Sequence, residues 1–302
     1  MLIASESIGL GVLHVLPNLC GKLKRSELMT TPRNHFSPRF TNDPWANSHG
    51  QLIAIRRKPG GGVVAATRGP NNWGYERDLY PPEIERVLGR LESEVALVYR
   101  LLLAGTTLDA TQRHLWSQWL LCQFGRTPSR ILNIAGIPEQ VVAQLKLDPT
   151  ANLFSSLDEA IASVVRGIVD FELNRRLVPY LVLRDWVVYR APEGTSFIKG
   201  DNPVTMQGAL IDDDARIVYP LSPSLCFDAG IVGSFPPTQL QIERTITAQQ
   251  VRELNRFIAY HAEREVICTV AAQSTELILD VGMHLGSAGD FYTVGGFSEW
   301  PI

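Results

Sequence analysis

Apolar and polar positions along the chain change period several times, and each change predicts an element. Leu52 to Arg57 and Val63 to Arg68 are short runs rich in apolar and β-branched residues. Lys58-Pro59-Gly60-Gly61-Gly62 joins them, which predicts a β-hairpin with a glycine loop. A phosphate loop would need a helix after the glycines, and a strand follows instead. From Pro82 the period becomes helical: Ile84, Val87, Leu88, Leu91, Val95, Val98 and Leu102 fall on one stripe. Proline suits a first turn, Glu83 and Glu85 favour the positive end of the dipole, and Gly105 predicts the stop. Asp109 predicts the cap of a second helix through Trp116, Trp119, Leu120 and Phe124, ended by Gly125 and Thr127-Pro128. The helical pattern continues over Pro138 to Leu145 and from a capped start at Ser156-Leu157-Asp158-Glu159 towards Pro179.

Beyond Pro179 the chain turns to short β-branched runs. Strand candidates are Trp186 to Arg190, Ser196 to Lys199, Ala209 to Ile211, Arg216 to Tyr219 and Leu225 to Asp228. Thr247 predicts the cap of a helix over Ala248 to Arg264, and Val266 to Ala271 reads as a late strand. The glycine-rich tail from Gly282 to Ile302 reads as a loop or a lightly packed edge. The expectation is an α+β fold with a mostly helical middle, about 82–180. An antiparallel sheet forms from the C-terminal half, and the N-terminal hairpin joins it. No repeat or linker divides residues 29–302, which read as a single domain. Residues 1–28 read as an N-terminal extension, with Met29 as an alternative start. Their apolar half is broken by Ser5, Glu6, Ser7, His14 and Pro17 and lacks a basic start, so it suits neither a signal peptide nor a membrane span. Gly9-Leu10-Gly11 has no strand and helix around it and carries no dinucleotide reading.

Composition narrows the class. Of 302 residues, 28 are basic and 31 acidic, and 45% are hydrophobic. That is globular composition, large enough for a core that needs no metal or disulfide. The formal charge of -3 gives no long-range pull on nucleic acid or an anionic membrane, although a local basic patch remains compatible. Cys20, Cys122, Cys226 and Cys268 are far apart in apolar contexts with no C-x-x-C pair, which reads as reduced thiols in a cytoplasmic protein.

No specific catalytic motif is present: no H-E-x-x-H, G-x-S-x-G or Walker loop. The densest chemistry is Asn34-His35-Phe36-Ser37-Pro38-Arg39-Phe40. Imidazole chemistry makes His35 a candidate acid/base; Arg39 is a candidate anion holder or carboxylate partner. The alternative is a structural cluster in which His35 bonds a backbone carbonyl. Glu85 and Glu92 share a partly apolar helix face, so they either pair with Arg39 or Arg126 or line a site. Arg126 ends the Trp-rich helix, as a cation at a helix C-terminus or as an anion clamp. Asp201-Asn202-Pro203 reads as a base or metal ligand at a strand end, or as an Asx-turn. Asp212-Asp213-Asp214 reads as a solvated turn, and Ser222 has no base near it in sequence.

These residues, in this order, resemble a bacterial family of proteins of unknown function, the DUF4238 type. The resemblance rests on Asn34-His35-x-x-Pro38-Arg39-Phe40, the helix with Glu85 and Glu92, Arg126-Thr127-Pro128, the segment Phe197 to Val204 with Asp201-Asn202-Pro203, Pro220 to Pro223, and Leu254-Asn255. It covers roughly residues 32 to 270. Relatives usually carry a serine or threonine where Gly200 stands. The resemblance implies convergence of His35, Arg39, Glu85, Glu92, Arg126 and Asp201 but no reaction. Two functions stay open, with a nucleic-acid binder a third that the neutral-to-acidic charge disfavours. One is a hydrolase or transferase acting on a phosphate-bearing small-molecule or nucleotide-like substrate. There His35, Glu85, Glu92 and Asp201 would be catalytic, Asn34, Arg39, Arg126 and Asn202 substrate-binding, and a divalent cation such as magnesium a cofactor suited to oxygen ligands. The other is a non-catalytic binding or regulatory module whose polar cluster is structural.

Overall fold

The hairpin and the two long helices fold where the periodicity places them. The computed structural model describes residues 33–58, 61–77, 79, 81–134, 171–230 and 241–286, and within these all side chains except those of 132–134 and 171–175. The expected helices over Pro138 to Leu145 and after Ser156, residues 1–32 and the tail beyond residue 286 lie outside the described residues. All described residues fall within one compact unit, Pro32–Ile302. The elements run β1 (Arg33–His35), α1 (Arg39–Asn42), β2 (Leu52–Arg57), β3 (Val63–Arg68), β4 (Tyr75–Arg77), α2 (Pro82–Leu103), α3 (Ala110–Gly125), α4 (Pro128–Ile134) and α5 (Phe171–Val182). There follow β5 (Trp186–Arg190), β6 (Lys199–Gly200), β7 (Thr205–Gln207), β8 (Arg216–Ser222), β9 (Leu225–Ala229), β10 (Gln241–Thr245), α6 (Ala248–His261), β11 (Glu265–Cys268) and α7 (Thr275–His284). Asp109 and Thr247 cap α3 and α6, each in a reciprocal box with the glutamine three residues on.

The α+β class holds, with the strands in three sheets. β1 and β4 form a two-stranded ribbon; β10-β5-β9-β8-β7 form a five-stranded sheet; β3-β2-β11-β6 form a four-stranded one. The N-terminal hairpin meets the C-terminal half as expected, because β2 pairs with β11 from Ile53↔Cys268 to Arg56↔Glu265. The five-stranded sheet is not wholly antiparallel: β10 runs parallel to β5. Both faces of that sheet are covered, which is why β8 and β9 are buried along their whole length. Trp186, Val188, Tyr219 and Phe227 pack on one side against Trp116 and Trp119 of α3 and Val95 and Leu102 of α2. Val187, Tyr189, Val218 and Cys226 pack on the other against Val251, Leu254 and Phe257 of α6, Trp45 and Trp73. Ile53, Ile55, Val266 and Cys268 of the four-stranded sheet pack with Ile258 of α6 and Val281 of α7 in a third cluster. No helix among the described residues is long and apolar enough to cross a membrane.

Three local expectations are corrected. Ala209 to Ile211 is not a strand but the start of a turn closed by Asp212 N–H to Ala209 O (2.8 Å) and Ala215 N–H to Asp212 O (3.1 Å). The α6 helix ends at His261 rather than Arg264, because Asp201 captures the next free amides. The stretch containing Gly282 is helical: Ser274 caps α7 by accepting from Leu277 N–H. Gly282 sits there because α7 presses on the edge of the hairpin. A Cβ at Gly282 would lie 2.1 Å from Val63 Cγ2, and Arg57 Nη2 donates to the carbonyls of Gly282 (2.9 Å) and Met283 (3.0 Å). Gly282→Ala is therefore expected to lower stability by about 1–3 kcal/mol through overpacking. Gly89→Ala in α2, where an added Cβ meets nothing within 4 Å, should raise it by up to ~1 kcal/mol. Urea unfolding of both variants checks the pair, and equal effects would refute the close approach.

Candidate functional site

Period-2 alternation in β1 splits the opening motif between inside and outside. Asn34 points inward and is buried. Its Oδ1 accepts from Leu79 N–H (2.8 Å) and its Nδ2 donates to Glu85 Oε2 (3.0 Å). His35, the next residue, turns outward. Its Nε2 lies 3.3 Å from Asn71 O, and its ring tilts against Tyr75 at 5.8 Å. Ser37 N–H donates to Gly74 O (2.9 Å). Only glycine serves at 74, where φ is +68° and a Cβ would lie 2.5 Å from Ser37 Cβ. Arg39 is exposed on α1 and meets Asp43 at 3.4 Å, a surface ion pair between neighbouring turns.

The buried side of the motif is held by three polar residues that sequence reasoning missed. Ser37 Oγ donates to Asn42 Oδ1 (2.9 Å), Asn42 Nδ2 returns to Ser37 O (3.1 Å), and Thr41 Oγ1 donates to Pro38 O (2.7 Å). Into this loop comes Lys199 from β6, wholly buried. Its Nζ donates to Thr41 O (3.0 Å), Thr41 Oγ1 (2.7 Å) and Asn42 Oδ1 (2.8 Å). The Thr41 hydroxyl donates to Pro38 O, so all three partners present acceptor atoms to Nζ. Burial, then the Arg126 guanidinium, pushes the Lys199 pKa well below the lysine range, and the three acceptors oppose that shift. The Tyr219 and Trp73 rings lie 5.6 and 5.7 Å from Nζ. The Tyr219 hydroxyl is buried beside Thr41 without a hydrogen bond of good geometry.

Arg126 closes the same cluster from the end of α3. Nη1 donates to Glu92 Oε1 at 2.6 Å, Nη2 to Gln123 Oε1 at 2.7 Å and Nε to Phe36 O at 3.2 Å. Gln123 Nε2 donates to the same Phe36 carbonyl. Arg126 is nearly fully buried, while the Glu92 side chain keeps 25% of its surface exposed. Tyr99 of α2 donates its hydroxyl proton to Leu221 O of β8.

Asp201 and Asn202 follow β6 and hold the end of α6. Asp201 Oδ1 accepts from Glu263 N–H (2.7 Å), and Oδ2 accepts from Arg264 N–H (2.8 Å) and Glu265 N–H (3.0 Å). Burial and the Glu263 carboxylate push the Asp201 pKa up to about 7, against the pull of the three amides. Asn202 Nδ2 donates to His261 O (3.1 Å). Asn255 of α6 accepts from Ile198 N–H (3.0 Å) and donates to Ser196 O (2.9 Å), which fixes the approach to β6. Gly200 fits because its α-carbon faces α6: a Cβ would stand 3.3 Å from Ala262 Cβ.

The landmark residues thus sit in three groups. Asn34 meets Glu85; Arg126 meets Glu92 and the Phe36 carbonyl; Asp201 and Asn202 meet the 261–265 segment. His35 and Arg39 lie outside these contacts. Among the described residues no three His, Cys, Asp or Glu side chains gather as ligands of a metal ion, so the magnesium expectation finds no ligand set there. A lysine between Phe197-Ile198 and Gly200, at the apolar end of a strand, was the one signal that could have pointed to Lys199. No curated protein and no solved structure matches the chain. A family model described as "Protein of unknown function (DUF4238)" matches residues 33–269, from β1 to the residue after β11. That span holds each of the three groups and most of the chain, and the protein belongs to the DUF4238 family.

Proposed function

We propose that this protein is a non-catalytic ligand-binding module, and that its landmark side chains form the framework that presents the binding surface. The observation that supports this reading is Asp201. Both of its oxygens accept from three backbone amides of one turn, an arrangement that uses most of the carboxylate's acceptor capacity to shape the chain. Asn34 and Arg126 likewise bind backbone or their own neighbours.

Melting temperatures separate this reading from the hydrolase or transferase reading without a known substrate. Charges gathered for chemistry are commonly held at a cost, so removing them raises stability; removing a framework contact lowers it. Asn34→Ala and Arg126→Met are each expected to lower stability by about 2–4 kcal/mol. His35→Gln and Arg39→Gln, on the outside, should stay within ~0.5 kcal/mol. A rise in melting temperature for Arg126→Met or Glu92→Gln would sink the framework reading and restore the catalytic one.

A further inference from the structure

Outside the framework, α6, α7 and the turns at Gly194 to Ser196 and Pro223-Ser224 enclose a groove of about 700 Å³. Two contacts join the helices at one end of it. Arg256 Nε donates to both oxygens of Asp280 (3.0 and 3.1 Å), and the Tyr260 and His284 rings meet at 4.9 Å. The helices therefore run in the same sense. One turn earlier on each stand Arg252 and Glu276, and both line the groove. They close no bridge of their own: among the described residues neither makes a hydrogen bond or an ion pair. Most other polar side chains of the groove are committed. Asn255 holds Ser196 O and Ile198 N–H, Thr195 Oγ1 donates to Pro192 O (2.7 Å), Ser196 Oγ donates to Phe197 O (2.9 Å), and Ser274 caps α7. The rest of the lining is largely apolar. Val251 is buried, Ala248, Ala272 and Leu277 are half-buried, and Leu279 and Met283 keep 56% and 66% of their surface exposed. Apolar side chains left exposed on a concave surface are a mark of a binding site.

From this arrangement we infer that the groove binds a short apolar peptide by both ends, its terminal carboxylate at Arg252 and its terminal ammonium at Glu276. A ligand with a single charge would leave the charge of the other wall against its apolar body. A peptide with free termini carries one charge of each sign on an apolar middle, which matches both walls and the lining. The guanidinium takes a carboxylate with two parallel hydrogen bonds. The volume falls within the range of small-molecule sites. The Arg256–Asp280 bridge and the Asn255 clamp fix the walls before the ligand arrives, which lowers the cost of ordering them. This assignment rests on the binding-module reading and names its ligand class. The two fail separately: that reading fails on melting temperatures, this one on binding heats.

The probe is trileucine, titrated calorimetrically into the full chain. It should bind at one site, and its N-acetyl and C-amide forms should each bind at least about threefold more weakly. Arg252→Gln should erase the difference between trileucine and its amide while keeping that between trileucine and its acetyl form. Glu276→Gln should do the reverse. Leu279→Gln should weaken all three ligands alike. The three side chains are exposed, and melting temperatures are recorded to show that the variants fold. No binding of trileucine by the wild type, or equal binding of the free and blocked peptides, overturns the assignment. Triglycine binding as tightly as trileucine also overturns it, because the apolar lining would then play no part. Decanoate binding as tightly does the same, because one charge would then suffice.

Discussion

Replacing Arg184 by methionine is expected to cost about 3–5 kcal/mol, the largest effect of any single polar substitution discussed for this chain. Arg184 lies between α5 and β5 and is 1% exposed. Its Nη1 donates to the carbonyls of Ala215 (2.6 Å), Gly230 (3.2 Å) and Asp213 (3.3 Å). Its Nη2 donates to those of Asp212 (2.6 Å) and Leu210 (2.9 Å). One guanidinium thus gathers the 210–215 turn and the end of β9. Among the described residues no carboxylate oxygen touches it, and burial pulls its pKa down, while Asp213, Asp214 and Asp212, exposed around the turn, hold it up. Methionine keeps the length and apolar stem but donates nothing. The Ala215 and Gly230 carbonyls would stay buried without a donor, at about 1–3 kcal/mol each. Arg184→Lys retains the charge but cannot span five acceptors, so it should fall between. Urea unfolding reads the loss directly. A cost under ~1 kcal/mol for methionine would show that water satisfies the turn and that the clamp is dispensable.

That clamp was not legible in the sequence, and the reason is general to this fold. Periodicity reports which residues face a core, so the hairpin at Leu52 to Arg68, the α2 stripe and the caps at Asp109 and Thr247 could be read directly. They are local, each specified within a few turns. Arg184 in Leu183-Arg184-Asp185 looks like an ordinary charged residue after a helix, because its partners lie 26 to 46 positions along the chain. The acidic run Asp212 to Asp214 reads as a solvated turn, and it is one; what the pattern hides is that the backbone of that turn serves a buried cation. Lys199 is the same case at longer range, with acceptors 157 and 158 positions upstream. The parallel pairing of β10 with β5 depends on a crossover that no local signal announces. Among the candidate residues, the family landmarks fall on groups with long-range contacts: Asn34, Glu85, Glu92, Arg126 and Asp201. They did not separate inward from outward positions within a motif, which is where Asn34 and His35 part.

Asp201→Ala is expected to cost about 2–4 kcal/mol and to loosen one turn before the rest of the molecule. The three amides of residues 263–265 follow the end of α6, where no i−4 carbonyl awaits them, and the carboxylate is their acceptor. Without it they either face water, pulling β11 away from β6, or stay unsatisfied. Hydrogen exchange at Glu263, Arg264 and Glu265 should therefore accelerate in the variant more than exchange in β8. The loss should also depend on pH, with a definite sign. The Asp201 pKa is about 7 in the fold and about 3.9 in an unfolded chain. Between those values the folded state binds the extra proton, so the stability this group confers is fully present below about pH 4 and declines as pH rises through 7. The alanine variant has no such slope. The gap between wild type and variant is thus wider at pH 5 than at pH 8. Unfolding curves at the two pH values decide it. A gap that instead widens towards pH 8 would mean that the three amides outweigh burial and keep Asp201 ionised through the whole range.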